Sequence, residues 1–152
     1  NKRWPAESFA GLVRWLAATD PSLRFAILVS TDDRALGQAI ARAGERRCLD
    51  LTGQVSLPEL VEWIRLSALL VTNDTGPMHI AAAMGTPVVA IFTGTNAVQH
   101  APYQSPCEVL TPERAHELLP QGETAEEALS PITPPMVYDA CVRLLSPKKT
   151  AG

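Results

Sequence analysis

Basic stretches, long apolar runs and paired cysteines are all scarce in this chain of 152 residues, and each scarcity removes a class of protein. No apolar run approaches the roughly 20 residues that a helix needs to cross a bilayer. Lysine and arginine number 13 against 16 acidic residues, leaving a net charge of −3, and basic residues are never adjacent in more than pairs, Lys148 and Lys149 near the end among them. Nonspecific nucleic-acid binding is therefore not expected. Cys48, Cys107 and Cys141 are far apart and form no CxxC pair, so buried, reduced thiols are expected rather than a disulfide frame or a redox centre. No cluster of ligands has metal spacing, no repeat is visible, and no cofactor or metal is implied. The remaining composition, 46% hydrophobic and 19% charged, is that of one globular domain with a sizeable core.

What is present is organised around Asn73 to Gly85, NDTGPMHIAAAMG. Leu69 to Thr72 before it and Val88 to Phe92 after it are short apolar runs of the kind that form buried parallel strands, so the stretch is a strand, helix, strand unit. Gly76 permits a tight turn, Pro77 suits the first helical position, and a helix is expected to start at Pro77 or Met78. Gly85 is placed for a left-handed cap, and Ala81, Ala82 and Ala83 make the helix slim. At its front, the free NH groups around Thr75 to His79 and the positive end of the helix dipole lie beyond the carboxyl end of a strand, where open α/β sheets bind ligands. An anion, most naturally a diphosphate, is the expected guest. Asp74 suits a sugar hydroxyl or a cation better than a phosphate, and His79 can donate to a phosphate or sugar oxygen. The plainer reading of the same two residues is a helix cap and a half-buried histidine.

The string DTGPMHIAAAMGTPVVAIF resembles the signature of glycosyltransferase family nine, the lipopolysaccharide heptosyltransferases. The likeness extends to Lys2, Arg3, Trp4 and Pro5, similar to that family's KxWP motif, and more weakly to Pro131 to Leu145. It implies a Rossmann-like, doubly wound parallel α/β sheet, the C-terminal half of a GT-B fold, with residues 1–152 a single donor-binding domain that lacks its first strand. It also implies an inverting transferase of the cytoplasm, with any contact with the inner membrane made through the other half. The implied partners are a nucleotide-diphosphate sugar, ADP-heptose above others, a lipid-linked saccharide acceptor and an N-terminal acceptor domain.

In that resemblance Lys2 neutralises the donor diphosphate together with the NH groups of Thr75, Gly76 and Met78, while Asp74 and His79 orient the sugar. No catalytic base is expected in this chain, because the family's base is an acidic residue of the N-terminal half. The chain alone is expected to bind donor without turnover. Gly94, Thr95 and Asn96 stand beside the sugar and phosphates, where they replace the family's common GPT pattern, and Thr93 replaces a frequent glycine. Two other classes stay open: a noncatalytic nucleotide or phosphate module, and another GT-B enzyme such as a nucleotide-sugar epimerase.

The remaining elements follow from patterning. Trp4 and Pro5 start a helix to about Ala18 with Phe9, Leu12, Val13 and Leu16 on its core face. Phe25 to Val29 is a strand, and Ser30 to Asp33 turns into a helix that Gly44 stops. Asp32 or Asp33 either caps that helix or accepts hydrogen bonds from ribose hydroxyls, capping being the plainer use. Cys48 to Leu51 is a strand, Thr52 to Val55 a loop suited to passing a nucleotide base, and Ser56 with Glu59 a capping box for a helix facing inward through Leu57, Leu60, Val61 and Ile64. His100 and His116 read as surface residues, and Glu123, Glu126 and Glu127 as a solvated face. Glu108 to Leu110 is a last strand, Thr111 to Pro135 an irregular excursion, and Pro135 to Leu145 a terminal helix with Met136, Val137, Ala140, Cys141 and Leu144 on one side.

Overall fold

A computed structural model of the chain describes residues 4–73, 76–92, 106–111 and 132–146. These gather into two compact units, Trp4–Glu62 and the residues from Trp63 onward, which are taken in turn. The sequence expectations for Gly94 to Asn96, His100, His116, the glutamates from 123 to 127 and nearly all of the 111–135 excursion fall outside the described residues.

In the first unit, α1 (Ala6–Thr19) buries Ala10, Leu12, Val13 and Leu16. The helix begins later than expected: Pro5 stands at the N-cap in extended conformation. Trp4 is an anchor before it, 1% exposed and set edge-on to the half-buried Phe9 at 4.8 Å. Strands β1 (Phe25–Ile27) and β2 (Cys48–Asp50) pair in parallel with Phe25 opposite Cys48 and Ile27 opposite Asp50. Bonds from Leu51 N to Ile27 O and from Gly53 N to Val29 O carry the ladder on to the expected end of the first run. Between the strands runs α2 (Arg34–Gly44), and the core joins Val13, Ile27 and Ile40 with Phe9, Phe25, Val29 and Leu36 around them.

Gly44 ends α2 for a different reason from the one the pattern suggests. Its own backbone is right-handed, at φ −90 and ψ −8, and a Cβ there would run into the Cys48 side chain and reach Val13 Cγ1 at 3.1 Å. The left-handed residue is the next one, Glu45, at φ 51 and ψ −127. Close packing selects the glycine, and the strain falls on a residue with a side chain.

Helix α3 (Leu57–Leu66) opens with the expected reciprocal cap: Glu59 N donates to Ser56 Oγ at 3.4 Å, and Ser56 Oγ and N donate to Glu59 Oε1 at 2.6 and 3.3 Å. Its expected inward face is only partly inward. Ile64 is buried, Leu60 and Val61 are half-buried, and Leu57 is 68% exposed because it occupies the first turn.

In the second unit β3 (Leu70–Asn73), β4 (Val88–Ile91) and β5 (Cys107–Leu110) form a parallel sheet in that order, with Leu70 opposite Val88 and Val88 opposite Cys107. The central strand is buried at all four positions, as a continuous apolar run requires. Helix α4 (Gly76–Met84) begins a residue before Pro77 and packs on β3 and β4. At its end Gly85, at φ 73, donates to Ala82 O while Thr86 N donates to Ala81 O, the paired bonds of a Schellman cap. The buried Thr86 hydroxyl then donates to Ile64 O at 2.7 Å, closing the last turn of α3. Helix α5 (Pro134–Leu145) buries Val137, Ala140 and Cys141 against β4 and β5, leaves Met136 and Leu144 half-buried, and is tied to β5 by Arg143 and Glu108 at 2.7 Å.

Candidate functional site

The joint of β3 and α4 is short: the strand ends at Asn73 and the helix begins at Gly76. Five positions at this joint and in the first turn, Asp74, Thr75, Gly76, Met78 and His79, are expected from sequence to serve the site beside Lys2, and Asp74 and Thr75 lie with Lys2 outside the described residues. What is described is the helical side. Gly76 is exposed and a Cβ built on it meets nothing within 4 Å, so no contact among the described residues demands the glycine. Its φ is not positive either, since the positive-φ glycines are Gly53 and Gly85. The turn for which Gly76 is expected runs through Asp74 and Thr75 and so lies outside the described residues. Met78 is fully buried and can offer only its backbone NH to a ligand, whereas His79 is exposed on the first turn. The helix is thus pinned by the buried Met78 while Gly76 and His79 are exposed in its first turn, and a helix start of this kind accepts an anion.

In the other unit, the carboxyl ends of β1 and β2 carry a polar turn. Asp33 stands at the N-cap position of α2, but no side-chain cap bond forms; its Oδ2 instead accepts from Ser30 Oγ at 3.3 Å. The capping role is therefore positional only, because Thr31–Asp33 winds as a 3₁₀ turn that carries the carboxylate past the helix NH groups.

Opposite it, Asp50 Oδ1 accepts from Thr52 Oγ1 at 2.5 Å and Thr52 N at 3.0 Å. The hydroxyl bond, then the NH bond, then the charge of Arg34 hold the Asp50 carboxyl below its usual range. Thr52 is 4% exposed and leaves no room for a Cβ on Gly37, while Gly53, at φ 66, leaves none between itself and the Thr31 side chain. The two loops are locked against each other by glycines. Asp50 was not singled out from sequence, although an aspartate two residues before a threonine is the ordinary mark of an Asx turn.

The cysteines take no part in either site. Burial pushes the Cys141 thiol up to about 12 and those of Cys48 and Cys107 up as well, which suits inert core thiols. Among the described residues no group of three His, Cys, Asp or Glu side chains could hold a metal ion, and no helix is long and apolar enough to cross a membrane.

Parallel strands alternating with helices define an α/β fold of the doubly wound class. The family model for glycosyltransferase family 9 (heptosyltransferase) matches residues 1–126, and the chain belongs to that family. It is 36% identical to lipooligosaccharide heptosyltransferase 2 of Haemophilus influenzae over 105 residues, covering 66% of this chain and 30% of that protein. It is 30% identical to lipopolysaccharide heptosyltransferase 2 of Salmonella typhimurium over 152 residues, 95% of this chain and 43% of that one.

Solved structures agree in fold. The E. coli ADP-heptose lipopolysaccharide heptosyltransferase II superposes with TM-score 0.76 at 29% identity, and a family 9 glycosyl transferase from Veillonella parvula with 0.79 at 27%. In both, 95% of this chain lies on 42% of the other. The chain thus has the α/β fold of part of a GT-B transferase and spans less than half the length of these relatives.

Proposed function

We propose that residues 1–152 form one donor-binding domain, half of an inverting glycosyltransferase that moves heptose from ADP-heptose to a lipopolysaccharide core acceptor. The observation that carries this reading is the start of α4, where Gly76 and His79 are exposed while Met78 is buried, and no described residue lies within 4 Å of a Cβ placed on Gly76. Family membership and the likeness to a transferase described by ADP-heptose support the choice of donor.

Departure of a nucleoside diphosphate from a sugar needs charge stabilisation on the leaving group, an oriented anomeric carbon and a base for the acceptor hydroxyl. The NH groups of Thr75, Gly76 and Met78 and the ammonium of Lys2 serve the first need. Asp74 and His79 serve the second, with Gly94, Thr95 and Asn96 beside the sugar. Asp33 receives the ribose hydroxyls. The base comes from the acceptor-binding half, so this chain binds donor in the cytoplasm and does not turn it over alone, and any contact with the inner membrane is made through that half.

An amide NMR titration with ADP, GDP, UDP, CMP and dTDP tests the reading. ADP alone should move the amides from Asp74 to His79 and those near Lys2. Equal response to every nucleotide would replace the reading with a general phosphate-binding module. Calorimetry refines it: Asp74→Ala should weaken the intact sugar nucleotide more than the nucleotide alone, and Lys2→Ala should weaken a nucleoside diphosphate more than a monophosphate. Equal losses would remove those two roles.

A further inference from the structure

The end of the first unit away from Asp33 and Thr52 holds a feature that donor binding does not use. At the amino ends of β1 and β2, the last turns of α1 and α2 border an open groove of about 450 Å³ lined by Arg14, Arg46, Arg47 and Glu45 and by small residues, Ala17 and Gly44 among them. Three guanidinium groups therefore face one carboxylate in a chain whose net charge is −3.

Only one of the three is committed. Arg47 Nη1 donates to Ala17 O at 2.7 Å and to Asp20 O at 3.5 Å, which fixes it at the end of α1. The Asp20 carboxylate accepts from Ser22 N at 2.9 Å and Ser22 Oγ at 2.6 Å and also feels the charge of Arg47, so Arg47 is partly balanced as well as fixed. Arg14 and Arg46 are exposed and make no hydrogen bond or ion pair among the described residues. Glu45, which leads Arg46 and Arg47 into the groove, holds φ 51 and ψ −127, a conformation that side-chain-bearing residues adopt at a cost and that recurs where a ligand is clamped. Like charges gathered in a concavity, with two of them lacking partners, repel until an anion enters, and the planar fork of arginine matches the oxygens of a phosphate.

We infer that this groove is a second anion site, one that takes a phosphate-bearing group between Arg14 and Arg46 with Arg47 as its fixed wall. It lies on the opposite end of the β1–β2 pair from the turn of Asp33 and Thr52, so it is separate from the nucleotide and does not rest on the donor reading. The same chemistry is offered by a soluble diphosphate and by an anionic lipid headgroup.

Titration of this chain with inorganic pyrophosphate, followed through the arginine side-chain Nε–Hε signals, tests the site directly. Saturable shifts at Arg14 and Arg46 are expected, together with at least a tenfold loss of affinity in the Arg14→Gln/Arg46→Gln variant and a smaller loss in Arg14→Lys/Arg46→Lys, which keeps the charge but not the fork. Amide shifts at Gly76 to His79 report the donor turn separately, so failure at either place is distinguishable. Pelleting with vesicles of phosphatidylcholine containing phosphatidylglycerol, but not with phosphatidylcholine alone, and its loss in the glutamine variant, would assign the group to a lipid. Pyrophosphate binding without vesicle binding would assign it to a soluble ligand. Arginine signals that stay still in both arms, or shifts that sodium chloride reproduces at matched ionic strength, would overturn the site.

Discussion

Strands β2 and β4 are both short, both parallel to a neighbour and both preceded by a helix, yet they are held in different ways. β4 is buried at every position from Val88 to Ile91, while β2 has its central residue, Leu49, 50% exposed beside an exposed Ala26. The β3–β5 sheet is therefore held chiefly by apolar burial. The β1–β2 pair gains less from burial, and its loops are locked by Asp50, Thr52, Gly37 and Gly53 instead. Where burial is complete, apolar contact suffices to hold a strand; where it is partial, polar groups help to hold the backbone.

The sharpest way to break the comparison is to truncate each strand. Ile91→Ala should cost about 2–5 kcal/mol in urea unfolding, as cavities in full cores do, whereas Leu49→Ala should stay within about 0.5 kcal/mol, as exposed sites do. Equal losses would mean that β2 is as deeply held as β4. Next comes Gly37→Ala, which would favour a helix by propensity but drives a Cβ into the Thr52 hydroxyl; a net loss of about 1–3 kcal/mol is expected. Adding Thr52→Ala should recover part of it, and additivity in that cycle would disprove the contact.

Smaller still, Thr86→Val removes the hydroxyl bond to Ile64 O and should cost about 1–2 kcal/mol, with no change in nucleotide binding. The least effect is that of Asp50. Its carboxyl is held below the ordinary 3.8, so its stabilisation is present at neutral pH, starts to go as pH falls past that value and is gone below the folded pKa. Asp50→Asn should flatten this part of the acid-unfolding profile without moving the neutral midpoint much. An unchanged profile would show that the Thr52 bonds do not favour the charged form.

Much of this was legible in the residues themselves. Four short buried-type runs and the stretch Glu108 to Leu110 mark the strands found among the described residues, Ser56 and Glu59 announce a capping box that forms with both partners, and Gly85 is the left-handed cap its position suggests. The helix after Asn73 was legible for the same reason, since Pro77 and the three alanines favour it locally. Other features were hidden because they depend on what lies across the fold. Gly37 and Gly44 look like weak points of a helix until Thr52 and Cys48 are seen against them. Leu57 matches the apolar stripe of α3 by spacing but has nothing to cover it, and Asp50 matters only once Thr52 turns back onto it.

Sequence by itself determined the order of elements, the parallel class of the strands and the family, because periodicity, caps and a contiguous motif are local properties of the chain. Tertiary structure alone decided that Glu45 rather than Gly44 takes the left-handed conformation, that Gly37 meets the Thr52 side chain, and that Arg14 and Arg46 share a groove without a partner among the described residues. Those outcomes turn on contacts between residues up to tens of positions apart, and which side chains meet at such separations is settled by how the helices pack, not by the pattern along any one of them.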